Sequence, residues 1–171
     1  MKPEIKYGLL AGGGVCLWTT LEYLLGFHTT RPAIGEYSGY FSTVIPLVAV
    51  FILLQRKQAA AYDGRLTLAQ GINSGIATSF LAALVVCTFL FAYNRFINPN
   101  WLDGFLDWKV AQLRVQGVAE VAIRKEIVSY RQANSPIGLV AITLCGMPLI
   151  GAVFSLALTL ALRLRVRPGL S

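Results

Sequence analysis

The sequence predicts an all-α integral membrane protein: a four transmembrane helix bundle with an external helical hairpin between spans 3 and 4. Three observations carry that reading. Four apolar stretches, approximately residues 7–27, 37–54, 68–93 and 137–162, cover most of the 171-residue chain. Within them the single charged residue is Glu22. Charged residues make up 13% of the chain and mean hydropathy is +0.62, whereas soluble domains carry about 25% charged residues.

A helix crosses roughly 30 Å of hydrocarbon with about 20 mostly apolar residues. The stretch at 37–54 is the shortest; the other three suffice. The N-terminal run is longer than the apolar region of a signal peptide and lacks a small-x-small cleavage site, so it reads as the first span. Tyr37 and Tyr40 open the second span as part of an aromatic belt, and Gly35 and Gly39 beside them admit a close neighbour. Pro46 and Pro148 lie near the middles of the second and fourth spans and predict kinks there. Small residues recur every four positions: Gly8 and Gly12, Gly71 and Gly75, and Gly151, Ser155 and Thr159. Such spacing suits close helix packing, either within one chain or between copies.

The segment 94–136 is too long and too regular to be a plain connector. Asn98-Pro99-Asn100 ends the third span. Trp101, Leu102, Phe105, Leu106, Val110 and Leu113 then form an apolar stripe, opposite Asp103, Asp107 and Arg114. Gly117 supplies a stop, and a second helix runs to about Arg131 with Ala119, Ile123, Ile127 and Tyr130 on one face. Glu120 and Arg124 are ordered for an i,i+4 pair. The hairpin, at 100–133, is expected over the outer mouth of the bundle, packed on protein or lying in lipid. Pro136 suits the first turn of the last span.

Orientation follows from the basic residues. With both termini cytoplasmic, Lys2, Lys6, Arg56, Lys57, Arg65, Arg163, Arg165 and Arg167 fall inside, and the short outer loop 28–36 holds only Arg31. The net charge of +7 is scattered around the spans, which favours contact with anionic lipid and argues against nucleic acid. Cys16, Cys87 and Cys145 sit in different spans as unpaired thiols. Lone His28 lies outside the spans, without partners at metal-ligand spacing, so neither a metal nor a cofactor is expected.

Glu22 leads the candidate polar site, because an acid within a span costs a few kcal/mol and marks a pathway, a relay or a buried pair. Arg31 and Arg95 are its candidate ion-pair partners, and Glu36 is a candidate for a pair across the outer surface. Gln70, Asn73, Ser74 and Thr78 form the polar start of the third span, with 70, 74 and 78 on one face. They line either a wet cavity or a helix contact.

The order and spacing of several motifs resemble the bacterial membrane proteins grouped as domain of unknown function 4199. The resemblance covers nearly the whole chain. It runs through Lys6-Tyr7-Gly8-Leu9, Glu36-x-x-Gly39-Tyr40, Arg56, Gly64-x-Leu66-x-Leu68-x-x-Gly71, Asn98-Pro99, Gly117 with Glu120, and Pro148, Gly151 and Ser155. The aromatic residue usual near Leu66 or Leu68 in that family is absent. The resemblance implies a four-span inner-membrane protein, found mainly in Bacteroidota, with no activity assigned and no site residues to carry over. Taken together, the sequence favours a non-enzymatic scaffold or partner-binding subunit, with a homo-oligomer or another membrane protein as partner. The alternative is a small proton-coupled transporter using Glu22 and the polar face of span 3. A lipid-acting enzyme ranks last, because no nucleophile–base pair is present.

Overall fold

The computed structural model describes residues 1–61 and 66–165, and among these every regular element is helical. Gly64, Arg65 and Arg167 lie outside the described residues. Helix α1 (Pro3–Leu24) begins on Pro3, and α2 (Pro32–Ser38) is a short helix ahead of α3 (Phe41–Ala60). Next come α4 (Leu68–Ala92) with a π-helical turn at Tyr93–Ile97, α5 (Trp101–Val115) and α6 (Glu120–Ala133). The chain closes with α7 (Pro136–Ala141), a second π-helical turn at Ile142–Gly146 and α8 (Met147–Arg165). Among the described residues, three helical segments are long and apolar enough to cross a membrane: Pro32–Ala60, Leu68–Ile97 and Pro136–Leu164.

Helix α4 is the axis of the bundle. On one side it meets α1, with Gly8 against Leu81 and Gly12 against Val85, so the two helices run parallel. A Cβ on Gly12 would lie 2.6 Å from that of Val85, closer than real side chains approach. On the other side α4 meets α8 antiparallel: Gly71 faces Thr159, Gly75 faces Ser155, and Gly151 faces Ser79. A Cβ on Gly75 would stand 2.7 Å from the Gly151 carbonyl oxygen. The four-residue spacing of small side chains is therefore used within one chain, where bare backbone lets the helices touch and gain dispersion contact. Ser155 and Thr159 return their hydroxyls to carbonyls one turn back, both at 2.6 Å, so neither hydroxyl is left open at the seam. Helix α3 fills the remaining side with Val50, Leu53 and Leu54, all fully buried.

The two prolines act differently. Helix α3 runs unbroken through Pro46, which lies at the middle of the Pro32–Ala60 segment and leaves the carbonyl of residue 42 without its ladder donor. The irregular turn in this stretch lies at Gly39–Tyr40, between α2 and α3, where the backbone stays helical but the hydrogen bonds shorten to three-residue steps. Pro148 follows directly on the π-helical turn at Ile142–Gly146. The widened turn takes up the ladder bond that a proline cannot make.

Packing at the α4–α8 seam is directly testable. Gly75→Val should cost about 1–3 kcal/mol through overpacking, read by detergent-titration unfolding. Gly13, whose Cβ would meet nothing within 4 Å, should accept valine without loss.

Candidate functional site

Both ends of the bundle carry a polar cluster, buried at one end and half-buried at the other. At the end bearing the hairpin, Gly26 closes α1 in the left-handed region (φ +77). The Phe27 N–H donates to the Glu22 carbonyl at 2.9 Å, and the Gly26 N–H to the Tyr23 carbonyl at 3.0 Å. This C-terminal motif needs a residue free of Cβ strain, and it folds the chain back over the last turn. His28 is thereby brought beside Glu22 of the preceding helix.

Glu22 is 3% exposed and fully engaged. Its Oε1 accepts from Trp18 Nε1 at 2.9 Å and from the Ser38 hydroxyl. Its Oε2 faces His28 Nε2 at 3.5 Å. His28 Nδ1 lies 2.6 Å from the Tyr93 hydroxyl, to which Asn98 Nδ2 donates at 3.3 Å. With the imidazole proton on Nε2, every donor in the series Asn98, Tyr93, His28, Glu22 has one acceptor. Edge contacts of Tyr93 with Tyr23 and His28, at 5.9 and 5.8 Å between ring centres, enclose the series. The cluster ties the end of α1 to α2 and to the end of α4.

Arg31 and Arg95, the expected partners of Glu22, are both exposed and form no ion pair among the described residues. Burial decides against them: the site is filled by an imidazole and two neutral donors, which cost less to desolvate than a guanidinium. Glu36 does pair across this surface, with Lys109 of α5, joining the hairpin to α2. That hydrogen bond holds the Lys109 pKa above its usual value. Within the hairpin, Glu120 meets Arg114 at 2.7 Å rather than Arg124, because the turn at Gly117 (φ +74) brings the two helix ends together. Phe105, Leu106 and Leu113 are buried, and Phe105 stacks on Tyr130 with 5.2 Å between ring centres, so the stripe faces protein.

At the opposite end, Lys57 Nζ donates to Glu4 and, at 2.7 Å, to the Ser74 hydroxyl, which reaches Glu4 at 3.2 Å. This cluster joins the start of α1, the end of α3 and the start of α4. Nothing in the sequence marked Glu4 or Lys57, since their pairing depends on tertiary contact across 53 positions. The other residues of the polar face separate. Gln70 is exposed and closes a reciprocal cap with Thr67, and Asn73 is exposed. Thr78 is fully buried, with its hydroxyl unpartnered among the described residues. Glu22 and Glu4 stand 18 residues apart on one helix, about 27 Å at 1.5 Å per residue, so Glu22 and Ser74 belong to different sites.

Long apolar helices around a closed, small-residue seam, with polar groups gathered at both ends, are compatible with a helical membrane protein. The chain matches the family described as Protein of unknown function (DUF4199) over residues 6–163, and it belongs to that family. No curated protein and no solved structure matches it.

Three outcomes follow from the two clusters. Glu22→Ala should destabilise by about 3 kcal/mol in detergent-titration unfolding, by leaving Trp18 and Ser38 without an acceptor, whereas Arg31→Ala should be neutral. Thr78→Val should hold or raise stability by about 1 kcal/mol, since it removes a buried hydroxyl without a partner. Glu4 lies ahead of the apolar stretch that starts at residue 7, and its hydrogen bond from Lys57 holds its pKa below the usual carboxylate range. A depressed folded-state pKa contributes stability above the unfolded value, lost as pH falls through the folded one. Glu4→Gln should therefore flatten the acid limb of a stability–pH profile.

Proposed function

We propose that the protein is a four-span bacterial inner-membrane protein without enzymatic activity, serving as a scaffold or partner-binding subunit. In this reading α1 is the first span, since its 22 residues extend about 33 Å. Both termini are cytoplasmic, and the hairpin is external. The observation that carries the reading is the closed α1–α4–α8 seam. It leaves Ser74 and Thr78 of α4 packed against neighbouring helices, Gln70 and Asn73 outside the seam, and the buried acid joined to a separate cluster at the other end.

What the chain offers outward is surface. Val121 and Val128 lie two turns apart on one face of α6, with Arg124 and Lys125 between them, and are 84% and 60% exposed. Exposed apolar side chains on an external helix suit contact with another protein. A partner at this face, whether a second copy or a different membrane protein, fits them better than water does.

A proton-coupled carrier is the second reading, favoured by the continuous Asn98–Tyr93–His28–Glu22 series. Vesicles holding the protein and a pH-sensitive dye separate the two. The scaffold reading expects proton flux no greater than in empty vesicles, with no change on Glu22→Gln. Flux that Glu22→Gln abolishes would sink it. A photo-crosslinker at Val121 should yield a defined adduct in native membranes that Val128→Asp removes.

A further inference from the structure

At the hairpin end, a lateral groove of about 670 Å³ opens between α4 and α7, beneath the start of α5. Leu90 and Phe91 form one wall, Ile137 and Val140 the other, and Trp101 and Leu102 the roof. Its volume lies in the range of pockets that enclose small ligands, about 300–1,000 Å³. Phe91 and Ile137 are 69% and 84% exposed, so the open side is the lateral face of the bundle, which meets hydrocarbon in a bilayer. Arg95 is the one charged residue in the lining described, and no carboxylate accompanies it. It sits in the π-helical turn Tyr93–Ile97 with Asn94, and Asn134 reaches the same groove from the end of α6.

We propose that this groove binds an anionic glycerophospholipid, with an acyl chain in the cleft and the headgroup phosphate on Arg95. The charge pattern selects the ligand. An exposed guanidinium without an ion pair among the described residues offers a planar fork of donors that matches phosphate oxygens. Asn94 adds an amide to the same lining, while the Asn134 amide already donates to the Tyr130 carbonyl at 2.9 Å. Below the polar rim the walls are almost wholly apolar, as an acyl chain requires and a soluble anion does not. Trp101 at the roof suits the boundary between headgroup and hydrocarbon. The proposal rests on placement in a bilayer and is independent of the scaffold role.

Native mass spectrometry of the full chain tests it, after equilibration in detergent with equal amounts of phosphatidylglycerol and phosphatidylcholine of matched acyl chains. The expected result is one phosphatidylglycerol retained per chain, about tenfold over phosphatidylcholine: both phosphates can accept from Arg95, but the choline trimethylammonium cancels the lipid's net charge and repels the guanidinium. Arg95→Gln, at an exposed position without an ion pair to lose, should bring the ratio close to one. Val140→Trp should fill the cleft and reduce retention of both lipids. Equal retention of the two lipids by the unaltered chain would overturn the proposal. So would a preference that survives Arg95→Gln, or lipid retained undiminished by Val140→Trp.

Discussion

Everything in this bundle depends on how closely α4 approaches its two neighbours. Gly8 and Gly12 of α1 admit Leu81 and Val85, and Gly71 and Gly75 admit Thr159 and Ser155 of α8. Between helices in lipid there is little hydrophobic drive to associate, so contact must come from dispersion over a tight fit. Bare backbone supplies that fit, and it leaves little room between the helices. Any side chain at Gly71, Gly75 or Gly151 would force the helices apart. The constraint explains why the α4–α8 seam is lined by glycine, serine and threonine, while the large buried residues Val50, Leu53 and Leu54 sit on α3.

A closed middle sends ionisable groups to the ends, where each cluster fastens three elements. Glu22, Ser38 and His28 with Tyr93 hold α1, α2 and α4 at the hairpin end, and Glu4, Lys57 and Ser74 hold α1, α3 and α4 at the other. An acid within an apolar helix is costly on its own. Three partners, Trp18, Ser38 and His28, each close to a Glu22 oxygen in the fold, offset the cost. The hairpin then docks through Lys109 on Glu36 and through its buried aromatic face, which fixes the roof of the lateral groove.

The parts of this arrangement that were legible in the sequence are those governed by local rules. Hydropathy marked the long helices, Asn98-Pro99-Asn100 the end of the third stretch, and Gly117 the turn of the hairpin. The spacing of Gly71, Gly75, Gly151, Ser155 and Thr159 marked the close contact but not which helices make it, because small-residue patterns carry no partner information. The sites were less legible. His28 reaches Glu22 only because Gly26 reverses the chain, a device visible as a glycine after a helix but silent about where the next residues land. Lys57 read only as a flanking charge and Glu4 carried no signal, and their pairing rests on tertiary geometry alone. Glu120 was assigned an i,i+4 partner by helix rules, but the turn placed Arg114 nearer.

The most direct test of the closed interior is the accessibility of a cysteine at Thr78, in a protein whose Cys16, Cys87 and Cys145 have been changed to alanine. A membrane-impermeant, cationic methanethiosulfonate reagent is added from each side in turn. Gln70→Cys, at the exposed start of the same helix, serves as the reactive reference. The close packing of α1, α4 and α8 predicts that Thr78→Cys stays unmodified from both sides while Gln70→Cys reacts. Modification of Thr78→Cys at a rate comparable to Gln70→Cys would mean that water reaches the middle of α4, and would contradict the account.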